Sequence, residues 1–173
     1  ANGGYYEKDS AGNSLGGGLW FKHAFSGGYP TVRGTMATYM GFPSHPNRDV
    51  PSFYAANKFK GWPEFLTNYQ RAYATVSNPI FDHTLPFIEK FFEKDWHLIG
   101  EEKSEGTADS LGASLAIDVL AKMSTDKPWQ ISFNTIASHI PFYGYPSDFA
   151  EKPDDAMVRY RNAVRYTDKQ LGR

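Results

Sequence analysis

The 173-residue sequence contains no cysteine. That excludes disulfides and thiolate metal ligands, and it requires any hydroxyl nucleophile to be Ser, Thr or Tyr. The absence is compatible with an oxidising compartment without requiring one. An excess of charge of one sign is also missing. The 18 Lys and Arg against 19 Asp and Glu leave a formal charge of −1. With no block of like charges and no basic stripe, a nucleic-acid partner has no electrostatic footing. No apolar run reaches the roughly 18 residues of a membrane-spanning helix, no signal-peptide pattern opens the chain, and no internal repeat is found.

Aromatic residues are plentiful at 16%, and 16 Gly and 11 Pro supply many turns. This balance suits a loop-rich α/β protein better than a helical bundle. Core packing is the commoner use of so many rings, and carbohydrate or lipid-headgroup binding is the other. A chain of this length buries a substantial core and is expected to form one domain.

Residues 1–18 are polar and glycine-rich and read as an arm or exposed loop. Leu19 to Phe25 reads as a strand, and Val32 to Met40 as a helix stopped by Gly41 and Pro43. Pro43 to Gly61 reads as loop, Trp62 to Asn68 as a short helix, and Arg71 to Val76 as a strand closed by Ser77-Asn-Pro79. Leu85 to Phe92 is predicted as a helix with Thr84 as its cap, and Glu93 to Gly106 as charged and irregular. In the helix predicted over Asp109 to Met123, the inward stripe is Leu111, Leu115 and Val119, extended by Leu120 and Met123. A strand over Pro128 to Ile136 puts Trp129, Ile131 and Phe133 on one face. The last helix, Pro153 to Leu171, turns Met157, Tyr160, Val164 and Leu171 inward. Alternating strands and helices imply a layered α/β sheet, in which ligand groups collect beyond the C-terminal strand ends. Thr31 and His139 fall at such positions.

The stretch Phe25-Ser-Gly-Gly-Tyr-Pro-Thr-Val-Arg-Gly-Thr-Met-Ala places Thr31 between a flexible glycine turn and the first turn of a helix, with Pro30 preset for a helix start. A hydroxyl there sits among free N–H groups at the positive end of the dipole, an environment that favours a phosphoryl or sulfuryl adduct. The plainer alternative is that Thr31 is an N-cap.

The run from Trp20 to Ala37 resembles the nucleophile region of the alkaline-phosphatase/sulfatase superfamily. More closely, it resembles the branch of lipoteichoic acid synthases and phosphoglycerol transferases, whose T-V-R-G threonine is nucleophile and metal ligand. Trp129 to Phe142 is similar to that branch's strand ending in T-x-H-x-P-F, so the resemblance places His139 in the substrate site. Leu66 to Val76 is similar to its L-x-x-x-G-Y-x-T unit, with Asn68 where glycine is usual. Ser77 to Phe92 is similar to the segment carrying a Trp and an Arg two residues apart, and gapless placement puts Phe81 and His83 there. The aromatic is kept in kind, whereas the arginine becomes histidine. Tyr166 to Gly172 resembles the helix before the terminal metal motif.

The resemblance implies a layered α/β/α sandwich, incomplete in these 173 residues, which read as one partial catalytic domain. It also implies an extracytoplasmic location. The divalent metal (Mn, Mg, Zn or Ca) would be bound through Thr31. Its remaining ligands, an acid on an earlier strand and a later Asp-His pair, are expected outside the sequence, from the rest of the same domain or a second chain. The implied activity is phosphoryl transfer, of phosphoglycerol type, or phosphodiester hydrolysis of a small, lipid or glycan phosphoester. Thr31 would be the nucleophile, with His139, His83, Phe81 and Arg33 toward the substrate. Residues 1–173 alone are expected to be inactive. Two alternatives stand beside this reading. One is a sulfatase-like ester hydrolase, disfavoured because no cysteine is present to yield formylglycine. The other is a non-catalytic module that keeps the fold.

Overall fold

The computed structural model describes residues 4–8, 11, 14–19, 23, 25–43, 45, 47, 59–80, 84–92, 97–99 and 108–173. In chain order the elements are β1 (Gly4–Lys8), β2 (Ser14–Leu19), α1 (Thr31–Met40), a 3-10 turn (Trp62–Phe65), β3 (Gln70–Thr75), α2 (Leu85–Phe91), β4 (His97–Ile99), α3 (Ala108–Lys122), β5 (Trp129–Asn134) and α4 (Ala156–Leu171).

A three-stranded parallel sheet in the order β4-β3-β5 carries the helices. Its register sets Tyr73 opposite Ser132 and Thr75 opposite Asn134. Successive residues of β3 point to opposite faces. Tyr73 joins Tyr39, Phe87, Ile88, Phe91 and Phe92 on the α1–α2 side. Ala72 joins Val119 and Met123 of the α3 side. Helices therefore cover both faces, as parallel sheets require. The expected α/β/α layering is present. Full burial of a ring such as Phe91 contributes about 1.5–3 kcal/mol to holding the layers together.

Several expectations from the sequence change. Within residues 1–18, β1 and β2 pair antiparallel as a hairpin, Tyr5 facing Gly18 and Tyr6 facing Gly17. Backbone hydrogen bonds suffice for such a ladder, so glycine content hides it from a propensity reading. Of the strand read over Leu19 to Phe25, Leu19 closes β2, and residues 20–22 and 24 lie outside the described residues. His97–Ile99, inside the segment read as irregular, pairs with β3. The helix read over Trp62 to Asn68 is the short 3-10 turn, and Thr84 takes the cap position of α2 while its hydroxyl donates to the Pro79 carbonyl at 3.2 Å.

Of the two longest helices, α3 keeps the predicted Val119, Leu120 and Met123 on the core at its C-terminal end and departs at its N-terminal end, whereas α4 is rotated from its predicted face. In α3 the buried positions are Asp109, Gly112, Ala113 and Val119, while Leu111 is exposed. In α4 Ala163, Tyr166 and Gln170 are buried, and Met157, Tyr160, Val164 and Leu171 face outward. The reason is close approach. A Cβ on Gly112 would lie 2.5 Å from the Phe133 ring, and Ala163 packs with Ala137 and Tyr145. Small residues face the contact, and the large ones are turned away from it.

Candidate active site

The approach to Thr31 is built by two glycines. Gly28 has φ +156°, and a Cβ there would lie 2.8 Å from the Arg33 Cβ; a Cβ on Gly27 would overlap the Ala37 side chain. Only glycine lets the loop lie this close to α1. The Ser26 hydroxyl donates to the Gly28 carbonyl at 3.0 Å and accepts from the Gly28 amide at 3.3 Å, closing the turn. Phe25 and Tyr29 stand out to solvent on either side of it.

Pro30, read as preset for a helix start, is the N-cap of α1, and its carbonyl accepts the Arg33 amide at 2.9 Å. Thr31 is thus the first helical residue and not the cap. Its side chain is exposed. The helix ends at Gly41, whose φ of +75° gives the left-handed stop.

Thr31 opens onto a cavity of about 340 Å³ between α1 and the sheet. Ser26, Thr31, Thr35 and Thr38 present hydroxyl-bearing side chains from the loop and helix. Ser132 adds a hydroxyl and Asn134 an amide from the C-terminal half of β5, with Tyr39 and Tyr73 between the two walls. The wall contains no ionised side chain among the described residues. Its fixed positive potential comes from the N-terminus of α1. Burial raises the Tyr39 phenol above its ordinary value of 10.0, and a hydrogen bond with Ser132 partly offsets this. Tyr39 remains neutral at physiological pH and pins α1 to β5.

His139 lies on the turn after β5. Its amide donates to the Ile136 carbonyl at 2.8 Å, and its carbonyl accepts from the Phe142 amide at 2.7 Å. Nδ1 lies 2.7 Å from the Ile140 carbonyl oxygen. A carbonyl only accepts, so Nδ1 carries the proton and the neutral ring keeps its lone pair on Nε2. The imidazole is exposed and does not line the Thr31 cavity. Arg33 is half-buried on α1 and is likewise not on the cavity wall. Phe81 and His83 lie outside the described residues.

Among the described residues, no three of His, Asp or Glu gather closely enough to hold a metal ion. The cavity offers hydroxyls and one amide. That donor set lacks the carboxylate or imidazole ligands a divalent cation needs, so the described site does not by itself fit the metal implied by resemblance.

Three features escaped the sequence reading. Ser132 and Asn134 were missed because polar residues on a strand read as its solvent face, whereas here they face α1. Asp109 is fully buried, and its carboxylate holds the turn that leads to His139. An Asp in the first turn of a helix is too common a signal to single it out.

A helix N-terminus set against the C-terminal end of a parallel strand, with helices on both faces, makes this a mixed α/β fold. Among solved structures, the lipoteichoic acid synthase LtaP from Listeria monocytogenes superposes with a TM-score of 0.70 at 23% identity. The match covers 84% of this chain and 39% of that one. The likeness is one of fold. No protein-family model and no curated protein matches the sequence.

Proposed function

We propose that these residues form part of a phosphoryl-transfer domain in which Thr31 is the nucleophile. The observation that carries this reading is the placement of Thr31 as the first residue of α1, uncapped and opening on the hydroxyl-lined cavity. In the reaction, Thr31 Oγ1 gives up its proton and attacks phosphorus, a new P–O bond forms, and the ester oxygen departs with its electron pair and takes up a proton. The covalent phosphothreonine lies at the N-terminus of α1, where free amides and the dipole stabilise its negative charge by about 0.3–1 kcal/mol, and up to ~2 when partly buried. Water or an acceptor hydroxyl then displaces the threonine. His139, exposed on the turn after β5 and off the cavity wall, would meet a part of the substrate that extends beyond the cavity, its Nε2 an acceptor when neutral and a donor when protonated.

The metal suggested by resemblance would take Thr31 as one ligand and the remainder from outside residues 1–173. Bound there, it would increase the acidity of the hydroxyl and neutralise phosphoryl charge. The phosphoglycerol-type substrate and extracytoplasmic setting rest on the same resemblance.

The test is Thr31→Ala in a protein containing these residues within the complete domain. Turnover of a glycerophosphodiester is expected to vanish, together with the phosphothreonine peptide seen by mass spectrometry in the parent. Retained turnover would reject Thr31 as nucleophile.

A further inference from the structure

We infer that α4 holds the His139 turn from both ends, which makes Asp109, Thr167 and Arg159 positioning residues for the imidazole. The inference rests on the reading that His139 meets the substrate.

The approach to the turn is fixed first. Asp109 Oδ1 accepts the Ile136 amide at 2.7 Å and the Ala137 amide at 3.2 Å. Its Oδ2 accepts the Thr167 hydroxyl at 2.6 Å. Asp109 and Ala137 are each 0% exposed. Burying a carboxylate is costly unless donors surround it, and these three donors come from two elements separate from α3. Gly144 closes on the same point from behind. A Cβ there would lie 2.9 Å from the Ala137 carbonyl oxygen.

The exit is fixed from the N-terminal half of α4. Arg159 Nε donates to the Pro141 carbonyl at 3.2 Å, and one terminal nitrogen donates to the Pro153 and Asp154 carbonyls at 2.6 Å each. The guanidinium also lies 4.7 Å from the centre of the Tyr143 ring. Phe142 has φ +70°, which a non-glycine residue adopts only when its surroundings enforce it. Its ring packs edge-on to Tyr160 of α4 at 5.3 Å.

Between these holds lie Ser138, His139 and Ile140. Both ends of the turn refer to one rigid helix, so the imidazole is set in place before any substrate arrives. Orienting a reacting group in advance removes the cost of ordering it during the reaction.

The test uses the complete domain with His selectively labelled with 15N. Thr167→Val keeps the volume and removes the hydroxyl. Hydrogen exchange at Ile136 and Ala137 is expected to quicken at least tenfold. The His139 15N signals are expected to move from the Nδ1–H pattern toward a tautomer mixture. Thr167→Ser is expected to restore both. Parent-like exchange and 15N signals in Thr167→Val would overturn the inference. If both change while glycerophosphodiester turnover does not, the hold stands and the role of His139 in the reaction falls. Should Thr167→Val fail to fold, Arg159→Gln supplies the comparison from the exit side, where an unmoved His139 15N signal overturns the inference.

Discussion

Among the described residues, the Thr31 hydroxyl is not spent on capping, since Pro30 takes the cap position. A threonine that capped would have its oxygen turned to the N2 or N3 amide. One position further on, the side chain leaves the helix end and its amides remain available to an anion. Gly-Gly-x-Pro-Thr made that half of the site legible, because glycine and proline act through backbone geometry and need no partner. The sheet half was not legible. Ser132 owes its meaning to Tyr39, a residue on a distant helix. Tyr39 also gives a pH dependence. Its phenol ionises above the ordinary 10.0 when folded. As pH rises past about 10, the unfolded chain loses this proton and the folded chain keeps it, so stability falls with pH there. Tyr39→Phe keeps the ring packing and loses the Ser132 hydrogen bond, at about 1 kcal/mol near neutral pH. Urea titrations from pH 8 to 11 are expected to show a shallower alkaline decline in this variant than in the parent.

Elements were easier to recognise than to orient. Strands β3 and β5 and helices α1 to α4 fall within a few residues of their predicted spans, because strand alternation and capping signals are local. Helix rotation is set by approach distance, and apolar counting gives most weight to the largest side chains. At α3 the deciding residue is Gly112, against which the Phe133 ring lies. At α4 the rotation that puts Ala163 inward also brings Thr167 to Asp109. A polar anchor of that kind leaves no hydrophobic period. Gly112→Ala is expected to raise helix propensity by about 0.8–1 kcal/mol yet lower stability overall, since overpacking costs about 1–3 kcal/mol. A lower midpoint in thermal unfolding checks the sign. A higher midpoint would mean that the Phe133 ring moves aside freely.

The molecule carries an apolar stripe that the described residues leave open. Met157, Val164 and Leu171 lie at helical spacing along the outer side of α4 with 56, 43 and 62% exposure. Contiguous exposed surface of this kind promotes association. Residues 1–173 in isolation are expected to self-associate at micromolar concentration, and Met157→Glu with Val164→Glu to return the sedimentation profile to that of a monomer. An unchanged profile in the double variant would place the contact elsewhere. The sheet register has a further consequence, in time. Gln70 pairs with Trp129 and Thr75 with Asn134, with α2, β4 and α3 lying between them in the chain. Pairing of this range is slow to form, because a long loop must close before any contact rewards it. Thr31 leaves the ribosome before Ser132 and Asn134, and its cavity cannot exist until they have followed. During that interval Thr31 is a hydroxyl on a growing chain with no cavity beside it. The cavity is completed only when β5 joins β3.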